Sequence, residues 1–406
     1  MNILFLLTQD LESPTGVGRF FPLARELVRL GHTVNIAALS GNYRALRTHS
    51  FVKEGVNVFY VGQMHVLKTK YEKKYFPIPL LLLISAKSTL SLTRAALSIP
   101  ADIIHIAKPH PMNSIAGLLA KRIRGPKLVL DCSDYEAATN RFEAEWQKRV
   151  VAFFEDHMPQ IADCVTTHAS FLQSRLLSLG LPPDKIVYLP NGVDYARFGE
   201  IDQQQLLTLR SSLGLQGKRV IIFVGTLTAH AHAVDLLLQA FQRVRQCIPN
   251  TVLLIVGGGE NYENLRRLAR DLGLLESTIF CGRIPAELVK YYYHLADVSV
   301  DPVYDTPAAR ARFPIKLFES WVTGVPFVTG DVGDRRLLLG QPCAGIVVTP
   351  GDAIALADGI IQVLKNPDLA EEMRRNGFER ARDFDWGKIA RRMEKVYLAL
   401  VRKDAH

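Results

Sequence analysis

R-A-R-F-P-I-K-L-F-E-S-W-V-T-G-V-P-F-V-T-G-D-V-G-D, from Arg310 to Asp334, is the stretch that decides the fold. An apolar run, Ala296 to Val300, precedes it and reads as a strand. Pro314 stands where a helix begins, because its fixed φ suits the first helical position and its missing N–H is not needed there. Gly324 ends that helix, and Val325 to Thr329 reads as the next strand. Lys316, Glu319, Ser320 and Thr323 fall at i, i+3, i+4 and i+7 and form one polar stripe, with Leu317, Phe318, Trp321 and Val322 opposite. By itself such a stripe is an ordinary solvated helix face. Its first turn, however, is where a parallel α/β sheet receives a phosphate, through free N–H groups and the positive dipole end.

Working outward, 406 residues suit two domains rather than one core. A hydrophobic content of 48% with 22% charged residues is that of a globular protein without low-complexity tracts. The start, Met1 to Leu7, runs straight into polar Thr8-Gln9-Asp10 and reads as a buried strand rather than a signal peptide. The sequence shows no run of the roughly 20 apolar residues that a span requires. Five scattered cysteines without a C-x-x-C pair fit free thiols in a reducing compartment, so a cytoplasmic protein is expected. The net charge of +9 is uneven: residues 1–190 carry +7, and nine basic residues lie between Arg44 and Arg94 against Glu54 and Glu72 alone. With no nucleic-acid module beside it, this basic excess points to an anionic membrane surface and not to nucleic acid.

Along the chain the pattern is strand, loop, helix, strand from Ile3 to Leu39, with Thr15-Gly16-Val17-Gly18 just before the helix. Residues 40–100 are less regular. Lys68 to Phe76 mixes basic and aromatic residues, and Pro77 to Ala86 is a ten-residue apolar run that is either a buried helix or an interfacial one. Two loops then leave neighbouring strand ends, I-H-I-A-K-P-H-P ending at Pro111 and L-D-C-S-D-Y-E ending at Glu136. Ser133 with Asp131, Asp134 and Glu136 makes the second loop more acidic than packing requires, so Asp134 and Ser133 are candidates for handling an acceptor hydroxyl. No ligand-like spacing completes a metal site there, and Asp383-Phe384-Asp385 is a chance D-x-D pattern. A second βαβαβ series runs from Arg219, with Gly257-Gly258-Gly259 after a strand and Gly282-Arg283 after another.

Over nearly its whole length the chain resembles the retaining glycosyltransferases of family 4, most strongly in Asp163–Asp194, Thr251–Asp297 and Phe313–Thr329. The resemblance implies a GT-B fold, α/β with two doubly wound Rossmann-like domains facing a cleft. Residues 1–195 would be the acceptor-binding domain, 196–385 the nucleotide-sugar domain, and 386–406 a helix packing back on the first. Glu319 takes the place of the family's ribose-binding glutamate, whereas Ala311 stands where a first glutamate is usual. The Phe313–Lys316 segment, with Pro314, would face the donor diphosphate, Gly16 and Gly18 would form the glycine loop, and Gly282, Arg283 and Ile284 match the base-binding loop. Ser133 aligns with a loop histidine of many members, and Asp134 lies beside it. Thr226 stands where the family has a diphosphate-binding arginine and His232 nearest to its lysine, with His230 beside it. Lys316 is then the first candidate to neutralise the diphosphate, ahead of Arg312 and Arg283.

The expected function is metal-independent, retaining transfer of a sugar from a UDP- or GDP-linked donor to a hydroxyl of a glycolipid or cell-surface glycan precursor, by a protein peripheral to the inner face of the membrane. No cofactor beyond the donor is expected. A GT-B nucleotide-sugar epimerase and a degenerate binder of nucleotide or partner are the alternatives, the latter because of Ala311, Thr226 and the missing histidine.

Overall fold

A computed structural model describes residues 1–228 and 232–402. It divides into two compact units, one of Met1–Lys68, Lys74–Asn191 and Trp386–His406, the other of Thr69–Lys73 and Gly192–Asp385. The five residues Thr69–Lys73 thus belong with the second unit, where sequence alone placed them in the first.

In the first unit β1 (Asn2–Leu7), β2 (Thr33–Ser40), β3 (Ser50–Lys53) and β4 (Val56–Gln63) come early, followed by the short pair β5 (Val66–Lys68) and β6 (Lys73–Tyr75). Strands β7 (Ile103–Ala107), β8 (Lys127–Cys132), β9 (Cys164–Thr167) and β10 (Ile186–Tyr188) complete an eight-stranded sheet in the order β10-β9-β8-β7-β1-β2-β4-β3. All pairings are parallel except β3 with β4. Strand β1 shows why such strands read as continuous apolar runs: Ile3, Phe5 and Leu7 enter one core and Leu4 and Leu6 the other. The helix Trp386–Arg402 lies on the first of these cores through Trp386, Ile389, Met393 and Tyr397. His32 is structural, its Nε2 2.9 Å from Glu394 Oε1.

One expectation fails here, and one of two open alternatives is removed. Gly16 and Gly18 are not in an open loop but in a π-helical turn, Gly16–Phe20, that leads into the helix Phe21–Arg29. A Cβ on Gly16 would stand 2.4 Å from the Asp10 carbonyl, so close packing is what this glycine serves. The apolar run after Pro77 is part of a 21-residue helix, Ile78–Ser98, long and apolar enough by length and composition to cross a membrane. It is not a buried helix: only Ser88, Leu92, Thr93 and Ala96 are buried, while Leu80, Leu82, Leu83 and Leu90 are exposed.

The second unit holds β11 (Arg219–Val224), β12 (Thr251–Val256), β13 (Thr278–Gly282), β14 (Val298–Asp301), β15 (Phe327–Gly330) and β16 (Ile346–Val348), all parallel in the order β13-β12-β11-β14-β15-β16. The deciding helix runs from Ile315 to Val322, with Pro314 as its cap rather than its first residue. Gly324 ends it at φ +68°, and Val325 N donates to Ser320 O at 2.9 Å. Trp321 anchors it, donating from Nε1 to Ala344 O at 2.9 Å.

Candidate active site

The polar stripe of the Ile315–Val322 helix is not a solvated face. Lys316 and Ser320 are buried, and Ser320 Oγ donates to Val325 O at 2.6 Å. Lys316 Nζ lies 2.7 Å from Asp301 Oδ1 at the end of β14 and 4.4 Å from the centre of the Phe223 ring. Arg335, also buried, takes the other oxygen of Asp301 at 2.9 Å. Two buried cations therefore share one carboxylate, which leaves a surplus positive charge.

His232 sits against this group, its Nδ1 3.3 Å from Lys316 Nζ and 3.0 Å from Arg312 Nη1. Burial, then Lys316 and Arg312, pushes the His232 imidazole well below its usual range, so the ring is neutral and Nδ1 accepts. Burial alone would raise the Asp301 carboxyl, yet Lys316 and Arg335 hold it far below the usual carboxylate range. Burial lowers Lys316 despite Asp301, with Arg312 and Arg335 adding repulsion. His232, Lys316, Arg312, Asp301 and Arg335 thus gather around one another, without Thr226.

Elsewhere in the unit the predicted residues separate. Glu319 is ion-paired to Arg197 and accepts from Tyr293 Oη at 3.0 Å. The Phe313 side chain belongs to an aromatic cluster, 5.4 Å from Phe318 and 6.4 Å from Phe384, and Pro314 has no N–H to offer. Ala311 is fully buried. Gly225 and Thr226 follow β11, and Leu227 N donates to Gly258 O at 3.3 Å. Gly282 has φ +71°, and Arg283 N donates to Lys70 O at 2.7 Å. Ile284 packs against the core that includes Tyr293 and Leu295. His230 lies outside the described residues.

In the first unit the acidic loop after β8 is neutralised from within. Asp131 is fully buried under Arg19, at 2.5 Å, and Thr166 Oγ1 donates to it at 2.7 Å. Burial would raise Asp131, but Arg19 holds it at about 2. Asp131 is a structural ion pair, which leaves Asp134 and Glu136. Lys108 joins those two, 2.5 Å from Asp134 and 2.8 Å from Glu136, and His110 lies 3.0 Å from Glu136. Lys108 carries φ +70°, a strained value for a side-chain-bearing residue, and Asn113 Nδ2 pins its loop by donating to Ala107 O at 2.8 Å and Lys108 O at 3.2 Å. Burial works against its charge, but Asp134 and Glu136 raise Lys108 above the usual lysine range. Ser133 Oγ is buried with no hydrogen-bond partner among the described residues.

Two family models match the chain: glycosyl transferases group 1 over residues 208–380, and a glycosyl transferase 4-like domain over residues 15–192. Residues 208–380 thus carry a group 1 glycosyl transferase domain, and residues 15–192 a glycosyl transferase 4-like one. Among the relatives of the chain is a GDP-mannose-dependent α-(1-6)-phosphatidylinositol monomannoside mannosyltransferase of Mycolicibacterium smegmatis, 30% identical over 64% of the chain. The match spans 66% of that relative's length, just under two thirds. A phosphatidyl-myo-inositol mannosyltransferase of Mycobacterium leprae is 31% identical over 52% of the chain and 53% of its own length. Among solved structures, sucrose-phosphate synthase from Thermosynechococcus elongatus superposes with a TM-score of 0.79 at 19% identity, covering 99% of both chains. Anabaena Alr3699/HepE in complex with UDP-glucose gives 0.73 at 18% identity over 98% and 100%. These likenesses establish the GT-B fold with its two Rossmann-like units.

Sequence reasoning missed Asp301, Arg335, Arg197, Tyr293 and Lys108 as members of these polar clusters. Asp301 was within reach, since a lone aspartate closing an apolar strand at a sheet's C-terminal end is a ligand-side position. Arg197 and Tyr293 lie 122 and 26 residues from Glu319 along the chain, with no local pattern joining them.

Proposed function

We propose that the protein transfers a sugar from a nucleotide sugar to a hydroxyl acceptor, with retention and without a metal ion. The observation that carries this is the pair Lys316 and Arg335 on the single carboxylate of Asp301, at the end of β14 and in the first turn of a helix. A diphosphate brings about two negative charges, and a helix N-terminus alone answers with about half a unit. Lys316 and Arg312, which both reach the neutral His232, supply the rest. As the glycosidic bond breaks, charge grows on the leaving diphosphate, and fixed cations in a dry site stabilise that change without reorganising.

Glu319 would hold the ribose, its two oxygens accepting vicinal hydroxyls once Arg197 gives way. In a front-face reaction the leaving phosphate takes the acceptor proton. Asp134, held by Lys108, and Ser133 would then orient the acceptor hydroxyl.

The relatives named for GDP-mannose and phosphatidylinositol acceptors support a GDP-linked hexose and a lipid-linked acceptor in this chain too. An anionic membrane is the partner that fits the exposed leucines of Ile78–Ser98 and their basic neighbours. Incubation with GDP-, UDP- and ADP-sugars tests the reading. Free nucleotide released only with a lipid acceptor is the expected result; an isomerised donor, or binding without product, would replace transfer by epimerisation or by binding alone.

A further inference from the structure

The backbone edge that matches the family's base-binding loop is already in use. Arg283 N donates to Lys70 O at 2.7 Å, and the Arg283 guanidinium donates to Glu72 O at 2.6 Å and to Gly258 O at 3.1 Å. Gly259 N donates to Tyr71 O at 2.8 Å. Glycines let the segment come this close. A Cβ on Gly282 would stand 2.6 Å from Tyr71 Cε1, and one on Gly258 2.4 Å from Tyr71 O. Tyr71 also lies over Tyr262, with 4.9 Å between ring centres.

We propose that Thr69–Lys73 is an intrasteric plug, which occupies the polar edge where the donor's nucleobase would bind and withdraws before the donor enters. The proposal rests on the donor-site reading given above and adds a control to it. A purine or pyrimidine edge is recognised by backbone N–H and C=O groups, and a group already satisfied must first be released. The main-chain carbonyls of Lys70 and Tyr71 present to Arg283 and Gly259 the acceptors a base would present, and the Tyr71 ring supplies a flat face. Withdrawal has room, since the segment borders a cavity of about 710 Å³ lined also by Tyr262, Arg266, Glu276 and Phe280.

A plug closed in 90 to 99% of molecules weakens apparent affinity roughly 10- to 100-fold, and loosening it restores that factor. The test is calorimetric titration of GDP, UDP and ADP into wild type, Tyr71→Ala and the double variant Lys70→Gly/Tyr71→Gly. Trypsin cleavage after Lys70 and Lys73 is followed in wild type with and without nucleotide. The expected result is nucleotide binding at least about tenfold tighter in both variants, with faster cleavage of wild type when nucleotide is present. Equal affinity with cleavage indifferent to nucleotide overturns the plug and leaves the donor site standing. Weaker binding in the variants also overturns it, because Tyr71 would then be part of the base's own platform. No binding by any of the three proteins overturns the donor-site reading, and the plug falls with it.

Discussion

Lys316 Nζ and Asp301 Oδ1 stand 2.7 Å apart with both side chains buried, and Arg335 holds the second oxygen of the same aspartate. Burying an ion pair is by itself a poor source of stability, because desolvation offsets most of the attraction. A second cation on one carboxylate makes the offset worse unless an anion completes the group. The arrangement is understandable as a site that waits for negative charge.

Asp301→Asn should therefore leave two cations without a counter-ion and destabilise the second unit by about 3 to 5 kcal/mol. A nucleoside diphosphate would replace the lost charge. The rise in Tm on adding GDP or UDP should be larger in Asp301→Asn than in wild type. Equal rises would remove the diphosphate from this cluster.

Lys316→Met keeps Asp301 paired with Arg335 and, on the proposed donor site, deletes one charge-assisted contact to the diphosphate. Such contacts are worth roughly 1.5 to 3 kcal/mol, or about 10- to 150-fold. If the contact tightens as the leaving group gains charge, the loss falls on kcat more than on KM. Steady-state kinetics at saturating acceptor decides it, and wild-type values for both constants would sink the assignment.

If Glu319 holds the donor's ribose as proposed, the donor must divide its ion pair with Arg197. Glu319→Gln should weaken donor binding by at least about tenfold, whereas Arg197→Gln, which frees the carboxylate, should not weaken it. Calorimetry on the two variants separates the roles. Equal losses would mean that arginine and glutamate bind the donor as a unit.

The parts of this protein that were legible in its sequence are those written in local patterns. Continuous apolar strands, helices of fixed period and the glycine after Thr323 gave two Rossmann-like sheets and the deciding helix in nearly the right place. Polarity was misread where distant residues neutralise one another. The Lys316 stripe looked solvated because Asp301 and Arg335 are 15 and 34 residues away from their partners along the chain, and the loop after β8 looked over-acidic because Arg19 lies 112 residues before Asp131. The apolar run after Pro77 was cut short at Ala86 since Lys87, Ser88 and Thr89 interrupt it, yet the helix continues through them to Ser98.

Stability of the first unit should respond to pH through three buried groups. Burial pushes His105 down to about 4 and His168 to about 3, and burial together with the Glu136 charge raises Glu155 to about 7. Between about pH 6.5 and 4.5 the unfolded chain binds two protons that the folded histidines refuse, while folded Glu155 keeps one that the unfolded chain releases. Net uptake on unfolding is about one proton, so stability falls as pH falls, by about 1.4 kcal/mol per pH unit. In Glu155→Gln the opposing group is gone and the slope should steepen toward about 2.7 kcal/mol per unit. Urea midpoints at pH 5, 6 and 7 measure it, and identical slopes would show that Glu155 does not hold its proton.

Leu83, Lys87, Leu90 and Arg94 follow one another at i, i+4, i+7 and i+11 on the exposed side of Ile78–Ser98, opposite Ser88, Leu92 and Ala96. Four leucines, Leu80, Leu82, Leu83 and Leu90, are 44 to 51% exposed. Burying the exposed part of each in an acyl boundary gains about 1 kcal/mol. Lys87 and Arg94 add about 1 kcal/mol each near an anionic surface. A sum of about 6 kcal/mol corresponds to a dissociation constant on the order of tens of micromolar, reversible and sensitive to salt. Wild-type protein should float with vesicles containing anionic lipid and stay behind with neutral ones. Leu82→Ser/Leu83→Ser should abolish flotation at any ionic strength, while Lys87→Glu/Arg94→Glu should abolish it most clearly at physiological salt. If wild type fails to float with either vesicle, the helix binds no anionic bilayer and the acceptor is to be sought among soluble glycans.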